Sequence, residues 1–143
     1  MQARKRHIYE IRSRHNHNAE NLADRQWYIG DQMAKHEFGI FETEPEQDKR
    51  YDEYCPEKYG CIAIHDDHIE PLLRELSVLE TYIHTLSRPG NGLVYYGITL
   101  IPPSSLPEFK KIIDLTGRAE LQTLSKKIEE AVRRHKFMIH YGI

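Results

Sequence analysis

Hydrophobic and polar positions switch between two periods along this chain, and residues 59–113 show both most clearly. Tyr59, Gly60, Cys61, Ile62, Ala63 and Ile64 make an apolar run of strand length, followed by the polar turn His65, Asp66, Asp67 and His68. Ile69, Leu72, Leu73, Leu76, Leu79, Ile83 and Leu86 then recur at the three- and four-residue spacing of one helical stripe. Pro71 suits the first turn of such a helix, where few backbone donors have partners to lose, and Asp66 or Asp67 is placed to cap it. Arg88, Pro89, Gly90, Asn91 and Gly92 stop it. Setting Tyr96 under Tyr59 brings a second copy into register, with Gly97, Ile98, Thr99, Leu100 and Ile101 as strand and Pro102, Pro103, Ser104 and Ser105 as turn. Leu106, Phe109, Ile112 and Ile113 then begin its helix. Residues 59–76 and 96–113 thus read as related strand-turn-helix units, by duplication or by obeying the same local rules. Two strands joined through a helix predict a parallel, right-handed β-α-β crossover.

Elsewhere the same periods predict fewer elements. Residues 7–12 lean to a strand, and Ala19, Leu22, Ala23, Ile29 and Met33 predict a helix over 19–34 with Asn16 or Asn18 as N-cap. Phe38, Gly39, Ile40 and Phe41 predict a short strand. Residues 42–58 hold seven acidic side chains, with Pro45 and Pro56 as breakers, and read as a long acidic surface loop, of a length that makes a lid over a site worth naming. Leu121, Leu124, Ile128, Ala131 and Val132 predict a helix over 119–135, and residues 137–143 a strand docked inside the sheet or along its edge. The expected fold class is α/β, with mixed α+β as the alternative. It is a single domain over residues 1–143, with a four- to five-stranded mixed sheet containing the crossover and packed by about four helices.

Composition narrows the class without naming an activity. Hydrophobic residues are 39% and charged residues 29% of the 143, an ordinary globular balance. The net charge of −2 provides no global attraction for phosphate backbones. The basic start Arg4, Lys5, Arg6 is followed by no apolar segment of a signal peptide, and no apolar run approaches the roughly 18 residues of a membrane span. Cys55 and Cys61 are too few for a disulfide framework and suit a reducing compartment, so the expected location is cytoplasmic.

In open α/β sheets ligands bind beyond the carboxyl ends of the strands, and a crossover would set residues 65–68 beside residues 102–105 on that edge. Two imidazoles and two carboxylates can hold a divalent metal or run acid-base chemistry near neutral pH. His65, Asp66, Asp67, His68, Ser104 and Ser105 are therefore the catalytic candidates, and His65, Asp66 and His68 the metal candidates. The competing structural reading makes Asp67 a helix cap, the histidines turn residues, and Ser104 or Ser105 the cap of the following helix. A zinc site from Cys55, Cys61, His65 and His68 lacks the paired spacing of structural sites, and His15 and His17 flank Asn16 in a polar pre-helix loop. No nucleophile elbow, phosphate loop, dinucleotide fingerprint or H-E-x-x-H spacing occurs. Arg4, Lys5, Arg6, Arg12 and Arg14 around Tyr9 offer contacts for nucleic acid, which the acidic balance elsewhere disfavours. Tyr51, Tyr54 and Tyr59, in or beside the acidic loop, offer contacts for a protein. The expectation is a non-enzymatic binding or regulatory domain working through a protein partner or as a homodimer, with no cofactor required. A metal-assisted hydrolase using residues 65–68 is the alternative, and a nucleic-acid binder the third reading.

Overall fold

The computed structural model describes residues 34–143, so the expected strand at 7–12, nearly all of the helix at 19–34, His15, His17 and the basic cluster around Tyr9 lie outside the described residues. Alternation along β1 (Lys35–Ile40) sends His36, Phe38 and Ile40 to one side and Glu37 and Gly39 to the other, and both sides are buried. A strand buried on both faces belongs in a sheet's interior. Five more strands complete that sheet: β2 (Ile62–His65), β3 (Glu80–Ile83), β4 (Pro89–Asn91), β5 (Ile98–Ile101) and β6 (Met138–Tyr141). Their order is β2-β1-β6-β5-β3-β4, and every neighbouring pair is antiparallel.

The fold is a mixture of helix and strand, as expected, but among the described residues the sheet has six strands in place of four or five and no parallel crossover. β2 and β5 lie three places apart and run in opposite directions. The reason lies at Pro71. His65 caps a helix that starts at Asp66, three residues earlier than the apolar stripe suggests, so Pro71 falls beyond the first turn, where its missing N–H breaks the ladder. The segment divides into α1 (Asp66–Ile69), a 3-10 turn at Glu70–Leu72 and α2 (Leu73–Leu76). Thr81, Tyr82 and Ile83, β-branched or aromatic, then extend as β3 and pair with β4 and β5. Leu79 and Ile83 fit the helical spacing by coincidence.

The later elements follow their patterns. Pro103–Ser105 is a 3-10 turn into α3 (Leu106–Leu115), and Ala119–Leu121 is one into α4 (Gln122–Arg134). Leu106, Phe109, Ile112 and Ile113 of α3 and Leu124, Ile128 and Ala131 of α4 pack on one face of the sheet against Phe38, Ile40, Ile64, Ile101 and Met138. The strand expected at residues 137–143 is β6, inside the sheet between β1 and β5.

The opposite face is covered by the connection between β1 and β2. Its acids point outward except Asp52, while Tyr51 and Tyr59 pack inward with Phe41, Ile98, Leu100, Ile139 and Tyr141. Phe41 meets Tyr59 and Tyr51 edge-on at 4.9 and 5.4 Å between ring centroids. Arg134 pairs with Glu42, and Lys136 Nζ donates to the Glu42 carbonyl at 2.7 Å, which anchors the connection to the end of α4. Gly39 makes the cover fit. A Cβ there would stand 2.6 Å from Cys61 Sγ and 2.7 Å from Tyr59 Cβ and its carbonyl oxygen. Gly39→Ala is expected to lower the unfolding free energy by about 1–3 kcal/mol, the usual range for overpacking, in equilibrium urea denaturation.

Candidate functional site

Histidines at inward-facing strand positions must find partners, because an unpaired polar group in an apolar interior costs more than a hydrogen bond returns. His36 on β1 and His140 on β6 face the helix side of the sheet in alternation with Phe38 and Met138, and both are 0% exposed. His36 Nδ1 lies 2.9 Å from His140 Nε2, with the two rings stacked at 5.1 Å between centroids. The far nitrogen of His36 is 2.8 Å from Asp66 Oδ1, and that of His140 is 3.1 Å from the Thr99 hydroxyl on β5. Tyr95 O–H donates to the second Asp66 oxygen at 2.7 Å, and Val94 N–H donates to Thr99 Oγ1 at 2.9 Å.

One direction of donation satisfies every link. Tyr95 and Val94 are fixed donors at the two ends; burial, and then the bond to Asp66, push the Tyr95 hydroxyl well above its ordinary pKa, so it keeps its proton. With Asp66 ionised, His36 Nε2–H donates to it, His140 Nε2–H donates to His36 Nδ1, and Thr99 O–H donates to His140 Nδ1. Both imidazoles are then neutral. The chain joins β5, β6, β1, the start of α1 and the segment before β5 through five hydrogen bonds.

The sequence candidates are distributed otherwise. His65 Nδ1 accepts from Asp67 N–H at 3.0 Å, so the cap of α1 is His65 and not Asp66 or Asp67. Asp66 turns inward to His36 and Tyr95, Asp67 is exposed, and Arg118 donates to His68 Nδ1 at 3.1 Å. Among the described residues no group of three or more His, Cys, Asp or Glu side chains is arranged to hold a metal ion. Ser104 is exposed; the Ser105 hydroxyl makes no cap and donates to the Glu80 carbonyl at 2.6 Å. Because β2 and β5 are antiparallel, residues 65–68 and 102–105 sit at opposite ends of the sheet rather than side by side. Cys55 and Cys61 are half-buried against the second core. Tyr54 O–H donates to both Glu37 oxygens at 2.6 and 2.9 Å, and burial pushes the Tyr59 hydroxyl up to about 12. Of the tyrosines named as partner contacts, Tyr51 and Tyr59 are buried in the second core and Tyr54 packs partly buried against it. His36 and His140 belong to no local motif, although an imidazole in phase with inward apolar residues is a readable signal.

A third buried histidine fastens the β1–β2 connection. His84 follows β3 in the left-handed region at φ 64°, which histidine tolerates better than most residues. Its Nδ1–H donates to the Tyr51 carbonyl at 3.0 Å, its Nε2 accepts from Ile98 N–H at 3.3 Å, and its own carbonyl accepts from Tyr51 N–H at 2.7 Å. Asp52 Oδ1 is buried 3.3 Å from the same Nδ1 without a hydrogen-bond donor. Burial holds the His84 pKa below the ordinary histidine value, against the opposing pull of the Tyr51 carbonyl and Asp52.

No family model matches this chain, and no curated protein and no solved structure is significantly similar to it. Among the described residues no helix is long and apolar enough to cross a membrane.

Two outcomes follow from this geometry. Thr99→Val keeps shape but removes the hydroxyl that links Val94 N–H to His140 Nδ1; with both of those hydrogen bonds lost, stability is expected to fall by about 1–3 kcal/mol in urea denaturation. For His84 the folded pKa is depressed, so the unfolded chain takes the proton first. Its contribution is complete above the unfolded value of about 6.5 and is lost as pH falls from there toward the folded value. A ring titration by NMR should place His84 below free histidine, and His84→Asn should flatten the acid side of the stability profile.

Proposed function

We propose that this chain is a small, non-enzymatic binding or regulatory domain of the cytoplasm that acts through protein–protein contacts. The observation that carries the reading is the use made of its acid-base groups: His36 and His140 are 0% exposed, and all four of their ring nitrogens hydrogen-bond within the chain. A general acid or base has to come within hydrogen-bond reach of the proton it moves, and these two hold strands together instead. The low cysteine content of the sequence supports the cytoplasmic setting.

The contact face we assign is the end of the sheet around Tyr96. This ring is 43% exposed and stands edge-on to Tyr95 at 4.8 Å between centroids, and the Tyr95 hydroxyl is bonded to Asp66. Tyrosine contributes a large amphipathic ring at a small cost in side-chain entropy, and contact surfaces are enriched in it.

A photo-crosslinking amino acid placed at position 96, with the same group at exposed Leu115 as the control, tests the face in cells. Discrete adducts are expected at 96 and not at 115, a second copy of the chain being one species they can contain. No adduct at 96, together with a strict monomer in sedimentation equilibrium, overturns the reading. So does a metal-dependent hydrolytic activity of the purified chain that disappears in both His65→Ala and Asp66→Ala.

A further inference from the structure

We infer that the cavity walled by Phe41, Tyr51 and Tyr59 on the β1–β2 connection is a binding site for a small oxyanion, a carboxylate or a phosphate. Its volume is about 170 Å³, and Lys49, Lys58 and glutamates complete its wall. The polar groups fixed in that wall decide what can enter. Tyr51 and Tyr59 are both at least nine-tenths buried. The Tyr51 hydroxyl accepts from Glu46 N–H at 2.9 Å, and its own proton meets no acceptor among the described residues. The Tyr59 hydroxyl makes no hydrogen bond among them, and burial pushes it up to about 12, so it keeps its proton at neutral pH. Among the described residues the one sealed side-chain polar atom without a partner is Asp52 Oδ1, so the Tyr59 hydroxyl is reached by solvent, and the cavity is the opening that Tyr59 lines. Two fixed hydroxyls with protons to donate call for a ligand that accepts.

Charge narrows the acceptor to an anion. Lys49 Nζ lies over the Tyr51 ring, 5.1 Å from its centroid, and Lys58 Nζ over the Tyr59 ring at 5.7 Å. Among the described residues neither ammonium pairs with a carboxylate, although acids are near in the chain. A cation over an exposed ring face is held weakly, so each can turn to an anion at little cost. Of the acids in the wall, Glu42 is already paired with Arg134. Glu44 and Glu46 are exposed, where water screens them. Two cations without carboxylate partners and two O–H donors thus surround one opening, a donor set suited to charge-assisted hydrogen bonds with a carboxylate or phosphate. Phe41, edge-on to both tyrosines, adds an apolar wall for the body of an organic anion. The site stands independently of the contact face at Tyr96.

NMR titration of the full chain near neutral pH and at constant ionic strength tests the site, with inorganic phosphate, with benzoate, and with chloride as the reference anion. Saturating shifts of the Tyr51 and Tyr59 ring signals are expected, with a dissociation constant of about 1 mM or below for at least one of the two oxyanions and no saturation by chloride. A response to phosphate alone assigns the site to phosphates, and a response to benzoate alone assigns it to carboxylates. Tyr59→Phe removes a hydroxyl that no other described group uses, so the fold is kept while binding is expected to weaken about tenfold. Lys49→Gln is expected to weaken it too, and Lys126→Gln, which does not line the cavity, to leave it unchanged. Absence of saturation with both oxyanions overturns the site. So does saturation that neither Tyr59→Phe nor Lys49→Gln weakens, which marks an adventitious ion only.

Discussion

An imidazole hydrogen-bonded to another imidazole inside a sheet leaves the surrounding strands little freedom of register. His140 reaches Thr99 directly across the β5–β6 pair and His36 diagonally across the β1–β6 pair, so one side chain fixes the central strand against both neighbours. A slip of one residue would carry His140 to the face where Tyr141 now packs and leave His36, Thr99 and Val94 without their partners. Each such orphan costs about 1–3 kcal/mol, whereas apolar neighbours exchange places at smaller cost. The apolar core makes the domain compact, and the polar chain makes the strand pairing unique.

The rest of the architecture is arranged around that central strand. On the helix side the Phe38 ring meets both His140 and Phe109, so the polar chain adjoins the same aromatic layer that seats α3. Among the described residues no α-helix packs on the other side; the β1–β2 connection, with its 3-10 turn at Pro56–Tyr59, does the covering. It can do so because Gly39 leaves room for Tyr59 and Cys61, and because His84 holds the Tyr51 backbone against the end of β3. The sheet thus has a rigid cover of helices and a second cover held by a small number of backbone bonds and aromatic contacts.

Where local chemistry decided the structure, the sequence was readable. The stripes of α3 and α4 and the apolar run of β6 came out where their periods put them, because burial of those faces is what forms them. Topology was not readable in the same way. Strand direction is set by pairings between residues far apart in the chain, and the helix inferred across residues 69–86 hid a hairpin, because Leu79 and Ile83 satisfy a helical spacing as well as an extended one. The error passed on to the site, since only parallel strands would have brought residues 65–68 beside Ser104 and Ser105. Asp66 belonged to the candidate set, but its partners His36 and Tyr95 are 30 and 29 positions away, and no local motif links them.

Two apolar side chains of similar volume would fill the space of His36 and His140 without the cost of desolvating four ring nitrogens, and replacements of that kind in other interiors are often neutral or stabilising. Stability alone therefore does not account for the pair. It contributes a property that apolar residues lack. That property is direction, because donors and acceptors must alternate from Val94 to Tyr95 and only one strand alignment lets them. The direction passes through the 2.9 Å contact between the two rings, so whatever breaks that contact also loosens the alignment of β1, β6 and β5.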